Sequence, residues 1–173
     1  MLSNKKKGLQ DLCDEFLTPV SVVIEIGSYR GENTLHFAKN AAEIYCVDPW
    51  QDYQDDEKKY DDMIEAEAHF DVQVSSVNNV HKFRTKSESA SKVITNRIAE
   101  LVYIDSKTTY ESMKKDIELW WPKVKFGGAL TGSNYILSGV KKAVDEIFGK
   151  ADRVYLDNSW AVMKFPGRWQ DEK

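Results

Sequence analysis

The chain has 173 residues, of which 42% are hydrophobic and 30% charged, and its formal net charge is -4. This length predicts a single domain, and the apolar fraction is too high for a disordered chain. The acidic balance argues against a broad nucleic-acid-binding face, no apolar run reaches the ~20 residues of a membrane span, and the N-terminal residues lack the apolar segment of a signal peptide.

Cysteines and histidines limit the disulfide and metal chemistry that the chain can support. Cys13 and Cys46 are too few for a disulfide framework or a Cys-rich zinc site, so we interpret both as reduced packing residues of a cytoplasmic protein. The histidines His36, His69 and His81 show no spacing typical of metal ligands, and a histidine-built metal site is not expected.

Short apolar runs alternate with longer amphipathic stretches, a pattern typical of a parallel sheet covered by helices. In chain order, the first part predicts a helix, a strand, a turn, a helix and a strand, over residues 4–16, 20–26, 27–31, 32–41 and 43–48. A third strand and the next helix are predicted over 80–84 and 87–98, with Val93, Ile94 and Ile98 facing the core.

The second part predicts a strand, a helix, a strand and a helix, over residues 101–105, 108–121, 125–131 and 136–148. Apolar segments over 153–156 and 160–165 flank a turn, as in a hairpin. We therefore expect a single α/β domain with a doubly wound, Rossmann-like, mostly parallel sheet, a C-terminal antiparallel hairpin and one antiparallel edge strand. Its parts are an N-terminal helix, a core and a tail, over 1–19, 20–165 and 166–173, and Trp169 of the tail is expected at the surface.

The segment 51–70 is strongly acidic and has a helical period at Tyr60, Met63, Ile64 and Ala68. A solvated helix face is the favoured interpretation, because charge runs usually occupy such faces. The alternative is a lid over a pocket, since the segment leaves directly from the end of a strand.

Polar residues follow the first strand, at the edge where an open α/β sheet binds its ligands. Gly27 and Gly31 enclose a tight turn, whose glycine spacing is neither that of a dinucleotide fingerprint nor that of a P-loop. Glu25 lies near the end of the strand, where its carboxylate would repel a pyrophosphate and attract an ammonium or a hydroxyl group.

Further polar residues follow the next three strands. Asp48 stands about 20 residues beyond the glycine turn, as expected of an acid that accepts hydrogen bonds from ribose hydroxyls, with helix capping as the alternative. Trp50 either lines the pocket or packs in the core. The polar run 85–88 suits an adenine edge, or Ser87 begins a helix. The fourth strand ends in Asp105.

Four ordered stretches carry these residues and cover about residues 20–135: VIEIGSYRGENT, EIYCVDPW, LVYIDSKTTYESMKKDIELWWPKVKFGG and ALTGSNY. Together they resemble the class I S-adenosylmethionine-dependent methyltransferases, and more closely the small group typified by macrocin-type O-methyltransferases. The resemblance implies that the domain binds S-adenosylmethionine and methylates a small-molecule acceptor, with oxygen as the expected acceptor atom. Nucleic-acid and membrane partners are not expected, and a homo-oligomer is left open.

The resemblance also implies a role for each residue at the strand ends. Those after the first strand would surround the methionine part of the cofactor, namely Gly27, Ser28 and Gly31 with Glu25 beneath them. Those after the second and third strands would contact the nucleoside: Asp48 the ribose hydroxyls, Trp50 the ribose or adenine, and Lys86 and Ser87 the adenine. Asp105 would lie close to the sulfonium and the acceptor.

Three positions depart from the pattern of the resembling enzymes, which commonly carry histidine at two of them and aspartate at the third. Here they hold Thr108, Ser133 and Asn134, which cannot take up a proton near neutral pH and supply little negative charge for a divalent cation. We therefore expect no metal. The candidates for aligning the acceptor or removing its proton are Asp105, Lys107 and Tyr135, and also Tyr110, for which core packing is the favoured interpretation.

Two alternative functions are left open. One is a protein of the same fold that binds S-adenosylmethionine with reduced or no catalysis, as the three replaced residues would allow. The other is a nicotinamide-dependent oxidoreductase, which Asp48 would suit but the glycine spacing and Glu25 would not.

Overall fold

The computed structural model describes residues 4–51 and 63–169, and these ranges hold six α-helices and seven strands. The helices are Asn4–Phe16 (α1), Glu32–Ala38 (α2), Met63–Val74 (α3), Ser87–Val93 (α4), Tyr110–Trp120 (α5) and Ser138–Phe148 (α6). The strands are Val22–Ile26 (β1), Glu43–Asp48 (β2), Val80–Arg84 (β3), Ala99–Ile104 (β4), Val124–Gly132 (β5), Arg153–Val154 (β6) and Trp160–Met163 (β7). In the described part of the chain, no helix is long and apolar enough to cross a membrane.

The seven strands form one sheet in the order β3-β2-β1-β4-β5-β7-β6. β1 pairs in parallel with both β2 and β4, so Ile26 stands level with Val47 on one side and Ile104 on the other. The order of strands reverses between β1 and β4, and such a reversal opens a crevice at the carboxyl ends of the two strands. The predicted doubly wound, mostly parallel sheet is confirmed.

The C-terminal hairpin forms, but the prediction of an antiparallel edge strand is wrong. β7 is antiparallel to both of its neighbours and lies inside the sheet, between β5 and β6, while the short β6 takes the edge. The reason is burial. Trp160, Ala161 and Val162 are all buried, which suits a strand covered on both faces, whereas both residues of β6 are exposed.

Apolar residues cover both faces of the sheet, because neighbouring residues of a strand point to opposite sides. In β1, Val23 belongs to the core formed with α1, α2 and α3, and Ile24 belongs to the core formed with α4, α5 and α6. The sheet is thus the middle of three layers. Helices on both sides hold the strands in register, and this places the segments that follow β1, β2, β4 and β5.

Helix α4 is shorter than predicted, and Val93 does not face the core. The helix ends at Val93, whose side chain is 72% exposed, and Ile94 continues in extended backbone. The buried Lys123 ammonium donates hydrogen bonds to the Ile94 carbonyl and to the Asn96 side chain, both at 2.7 Å. Residues 97 and 98 then pair with the backbone of residues 122 and 123, which leads the chain into β4. This pairing ends the helix at Val93, although the apolar periodicity of the sequence continues to Ile98.

Helix α3 turns a different side to the core than the acidic segment predicts. Residues 52–62 lie outside the described residues, and so does Tyr60 of the predicted helical period. Ile64 is 74% exposed and Ala68 is also exposed. The buried residues of the helix are Met63, Ala66 and Phe70. The Phe70 ring packs against the Trp50 ring, with centroids 4.9 Å apart, and this contact sets the rotation of α3.

The described part of the tail packs on the core, and the prediction of Trp169 as a surface residue is wrong. Trp169 is half-buried, and its ring lies against those of Trp121 and Phe148, at centroid distances of 6.3 and 5.5 Å. The Trp121 indole N–H donates a hydrogen bond of 2.8 Å to the Trp169 carbonyl. Aromatic contacts therefore draw this residue inward, although it lies beyond the last strand.

Replacing Trp169 by alanine should destabilise the domain. We expect Trp169→Ala to lower the free energy of unfolding by about 2 kcal/mol, because a half-buried ring loses two aromatic contacts. Val93→Ala is the control, and it should change the value by less than about 0.5 kcal/mol, since that side chain is exposed. Urea unfolding followed by circular dichroism measures both variants. Equal stabilities would contradict a structural role for the tail.

Candidate functional site

Backbone hydrogen bonds draw the segments after β1, β4 and β5 together at the carboxyl edge of the sheet. The N–H of Gly27 donates to a β2 carbonyl, that of Asp105 to a β1 carbonyl and that of Ser133 to a β4 carbonyl, at 2.8, 2.8 and 3.1 Å. These bonds continue the sheet beyond its strands. They hold three of the polar segments found in the sequence at one place.

Gly27 is needed where the turn after β1 passes the end of β4. Its φ is +88°, in the left-handed region, and a Cβ built on it would lie 2.4 Å from the Asp105 carbonyl oxygen. Gly31, at the other end of the turn, has a φ of +85° and directly precedes α2. The two glycines therefore let the turn lie against Asp105 and lead the chain into the helix.

Glu25 is completely buried beneath this turn. Its Oε2 accepts a hydrogen bond of 2.5 Å from the Thr34 hydroxyl of α2, and the Cys46 thiol lies 3.7 Å from the same oxygen. Burial raises the pKa of Glu25 to about 7, although the hydrogen bond from Thr34 lowers it. Thr34, which was not among the predicted site residues, is the side chain that holds this carboxyl group in place.

Two buried polar atoms near the turn, Glu25 Oε1 and Ser28 Oγ, form no hydrogen bond of normal geometry with the described residues, although the Ser28 hydroxyl lies near enough to the carboxyl group to lower the pKa of Glu25. Buried polar atoms are nearly always paired, and leaving one unpaired typically costs about 1–3 kcal/mol. Two such atoms at a glycine turn point to a bound group that brings hydrogen-bonding partners of its own. They are the feature that most directly marks the site.

Asp48, at the end of β2, joins two loops. Its carboxylate accepts hydrogen bonds from the backbone N–H groups of Tyr29 and Trp50, at 3.0 and 2.7 Å. The Trp50 indole N–H donates in turn to the Tyr29 carbonyl at 2.8 Å. Burial raises the pKa of Asp48, and the two backbone N–H groups lower it. A carboxylate has about four lone-pair positions, so further ones are left for hydroxyl donors.

Asp105, at the end of β4, is held by side chains from two other segments. The Asn33 amide of α2 donates to Oδ2 at 2.9 Å, and the Ser133 hydroxyl after β5 donates to Oδ1. The Asn134 amide donates to Ser133 Oγ at 2.9 Å and extends this chain of hydrogen bonds. Asn33 was not predicted. Its place in the first turn of a helix that follows a glycine turn is the signal that could have found it.

The residues predicted for the adenine end occupy three different environments. Trp50 is buried and packs against Phe70, so it belongs to the core as well as to the edge of the site. Lys86 is exposed and directly precedes α4. Ser87 begins α4, as its alternative interpretation expected, and its hydroxyl donates to the buried Asp116 at 2.5 Å.

The residues predicted for the reacting end are held differently. Lys107 is half-buried in the loop that follows Asp105. Tyr135 comes directly after Asn134, but its hydroxyl donates to Asp145 of α6 at 2.5 Å and is therefore engaged with that helix. The Tyr110 hydroxyl donates to Glu146 of α6 at 2.7 Å. Asp105 is a candidate for proton removal that hydrogen bonds from two other segments of the site orient.

Carboxyl groups determine the charge of the site, since Glu25, Asp48 and Asp105 all stand at the carboxyl ends of strands. Within residues 4–51 and 63–169, no three His, Cys, Asp or Glu side chains are grouped as a metal ion would require. A cluster of carboxyl acceptors favours a ligand that carries ammonium or hydroxyl donors.

Residues 24–135 match a family model described as a methyltransferase domain. This range begins in β1 and ends directly after the Ser133–Asn134 pair, so it contains every residue described above as part of the crevice. A search of curated protein sequences found no match.

Solved structures with the same fold include several methyltransferases. The chain aligns with the methyltransferase SMU.1697c from Streptococcus mutans, solved in complex with SAH, at 14% identity and a TM-score of 0.64, covering 93% of this chain and 96% of that chain. It aligns with the O-methyltransferase NovP at 15% identity and a TM-score of 0.66, covering 94% of this chain and 80% of that chain. It aligns with an rRNA methylase from Streptococcus thermophilus at 17% identity and a TM-score of 0.63, covering 89% of this chain and 84% of that chain. A further match is PH0851, a longer protein, of which the chain spans 36%. At these identities the likeness shows a shared fold.

Burial of Glu25 predicts a pH dependence of stability that an uncharged side chain of the same shape would remove. Folding raises the pKa from an ordinary 4.5 to about 7, so the contribution of Glu25 to stability is largest below pH 4.5 and is lost as the pH rises through 7. Glu25→Gln should therefore be more stable than the wild type at about pH 8, by up to about 3 kcal/mol, and should lose this advantage in acid. Urea unfolding across the pH range measures the difference.

Glu118→Gln is the control for this experiment, because Glu118 lies on the exposed side of α5. The free energy of unfolding of this variant should stay close to that of the wild type at every pH. The prediction would be contradicted if the free energies of unfolding of Glu25→Gln and the wild type differed by the same amount at every pH.

Proposed function

Since the chain belongs to the methyltransferase family, we propose that it transfers a methyl group from S-adenosylmethionine to a hydroxyl group of a small molecule. The observation that carries the proposal is the pair of unpartnered buried atoms, Glu25 Oε1 and Ser28 Oγ, at the glycine turn beside the β1–β4 crevice. The neighbour solved with SAH supports the methyl donor, and the neighbour named as an O-methyltransferase supports oxygen as the acceptor atom.

The residues of the crevice fit the methyl donor. S-adenosylmethionine carries a cationic sulfonium, an ammonium group and ribose hydroxyls, all of which favour carboxylate or hydroxyl acceptors. Gly27, Ser28 and Glu25 would hold its methionine end, Asp48 has acceptor positions left for the ribose, and Asp105 stands at the reacting end. When bound, this donor supplies an activated methyl group. The protein has to align the acceptor and receive its proton.

Asp105 is the residue that we place against the acceptor hydroxyl. Its two oxygens each accept one hydrogen bond, from Asn33 and from Ser133, and this fixes the carboxylate in one orientation. The remaining lone pairs can accept the proton of a hydroxyl group that lies in line with the methyl group. Lys107, in the same loop, is a candidate for binding the acceptor. Tyr135 anchors the following loop to α6.

The proposed reaction uses no divalent cation. Metal ligands must offer lone pairs to the ion, and cations of this kind favour several charged oxygens. The side chains hydrogen-bonded to Asp105, Asn33 and Ser133, carry no negative charge, and the neighbouring Asn134 amide points its N–H at Ser133. This arrangement suits a carboxylate that works through hydrogen bonds.

The acceptor in this proposal is a small molecule rather than a nucleic acid. The net charge is -4, and the three carboxyl groups at the strand ends would repel a phosphate backbone. We also propose a cytoplasmic location, because Cys13 and Cys46 are both buried free thiols and a reducing compartment keeps thiols free.

A protein that binds S-adenosylmethionine with little or no turnover is the second candidate. The observation that favours it lies beside Asp105, where Thr108, Ser133 and Asn134 offer no group that exchanges a proton near neutral pH. Catalysis would then depend on Asp105, and a direct assay of methyl transfer separates the two candidates.

SAH should bind to the protein, and its binding should depend on the absence of a side chain at Gly27. Gly27→Ala should weaken binding by about tenfold or more, because the new Cβ would lie 2.4 Å from the Asp105 carbonyl oxygen. Gly127→Ala is the matched control, since that glycine also has a positive φ, +82°, but has no atom within 4 Å of its Cβ position. Isothermal titration calorimetry measures both. Absence of SAH binding by the wild type at millimolar concentration would reject the proposed donor.

Asp105→Asn should separate binding from turnover. We expect SAH affinity within about threefold of the wild type, and methyl transfer slower by a factor of about 100 or more, as for loss of a general base. Mass spectrometry of a panel of hydroxylated small molecules incubated with S-adenosylmethionine measures the transfer. Glu111→Gln, at an exposed position of α5, is the control. Added EDTA or Mg²⁺ should leave the wild-type rate unchanged. A wild type that binds SAH but methylates nothing in the panel would favour the second candidate.

A further inference from the structure

Asp116 of α5 is a buried carboxyl group that joins two loops of the site. Its Oδ1 accepts a hydrogen bond from the Ser87 hydroxyl at 2.5 Å, and its Oδ2 accepts one from the Ser106 hydroxyl at 2.7 Å. Ser87 directly follows Lys86, in the β3–α4 loop (residues 85–86). Ser106 directly follows Asp105, in the β4–α5 loop (residues 105–109). One side chain thereby connects the adenine end of the proposed site with its reacting end.

A third hydrogen bond fixes the direction of this link. The indole N–H of the buried Trp120 donates to Ser87 Oγ at 2.8 Å. A serine hydroxyl has a single proton, and here that proton goes to Asp116. Ser87 therefore has no proton left for an adenine nitrogen. Its part in the site is to connect the helix start to Asp116, not to donate to the ligand.

The carboxyl group of Asp116 suits this position through its pattern of acceptors. Burying a carboxylate is unfavourable unless donors satisfy it, and an apolar residue of similar size would avoid that penalty. An ionised carboxylate is an acceptor at both oxygens, so it can bind two hydroxyl groups at once, whereas an amide of the same shape offers one oxygen. The neighbouring Lys115 forms an ion pair with Glu88. The two serines are thus the hydrogen-bond donors that hold Asp116.

We propose that Asp116 is a positioning residue, which holds the β3–α4 and β4–α5 loops at one separation so that methyl donor and acceptor are aligned together. The inference rests on the proposed function, because it takes the two loops as the walls of the donor site. Asp116 itself would touch neither donor nor acceptor. Its loss should therefore weaken SAH binding in a protein that is still folded.

The test measures SAH binding by calorimetry, at a temperature where circular dichroism shows each variant folded. Asp116→Asn should raise the dissociation constant about tenfold, because one serine loses its acceptor. Ser87→Ala and Ser106→Ala each remove one of the two links and should raise it about threefold. In the Asp116→Asn background one of the two serine substitutions should add less than about twofold, since its hydrogen bond is already lost, while the other should still add about threefold.

Ser91→Ala is the matched control. Ser91 is a buried serine of α4, the helix that Ser87 begins, and its hydroxyl donates to the Glu88 carbonyl at 3.0 Å. This variant should bind SAH with an affinity within about twofold of the wild type. Ser106→Thr keeps the hydroxyl and should restore the affinity that Ser106→Ala loses. If Asp116→Asn does not fold, the single serine variants and this rescue decide the question.

Two results would overturn the inference and leave the proposed function standing. One is a folded Asp116→Asn that binds SAH as tightly as the wild type, and the other is a set of serine variants that lower stability without changing SAH affinity. Absence of SAH binding by the wild type would instead reject the proposed function, and the inference with it.

Discussion

The close passage of Gly27 beneath the end of β4 is the constraint on which the rest of the site depends. β1 and β4 are neighbours in the sheet, so the turn after β1 passes close to the Asp105 carbonyl, which directly follows β4. A Cβ built on Gly27 would lie 2.4 Å from that carbonyl oxygen. Because glycine has no Cβ, the turn can pass there, and α2 then brings Asn33 and Thr34 over the strand ends. There they donate hydrogen bonds to Asp105 and Glu25. A side chain at this position would displace the turn, and with it the donors of both carboxyl groups.

Buried carboxyl groups recur around the crevice, and uncharged donors hold each of them. Burial raises the pKa of Glu25, Asp48 and Asp116, and hydroxyl or backbone N–H donors lower it in every case. Uncharged donors orient the oxygen atoms of each carboxyl group. The crevice therefore presents fixed acceptors, and these favour a ligand that carries ammonium and hydroxyl donors.

Much of the fold could be predicted from the sequence, because apolar runs and glycine turns report local preferences of the backbone. The doubly wound sheet, its helices and the polar segments at its edge all followed from such patterns. Three of the failures share a physical cause, which is a partner distant in the chain. Lys123 and the segment beside it end α4, Phe70 rotates α3 onto Trp50, and Trp121 draws the tail inward. None of these partners is visible in the local pattern that it overrides.

The candidate site divides in the same way. From the sequence alone, the rule that ligands bind at strand ends singled out Glu25, Gly27, Asp48 and Asp105, since chain direction and strand order place such residues at one edge. Only the tertiary structure decided which polar atoms there are paired. Asn33, Thr34 and Asp116 are ordinary helix residues in the sequence, and they become donors and acceptors of the site through contacts with residues 9 to 72 positions away. A hydrogen bond depends on where two groups meet in space, and only the packed helices and sheet bring these groups together.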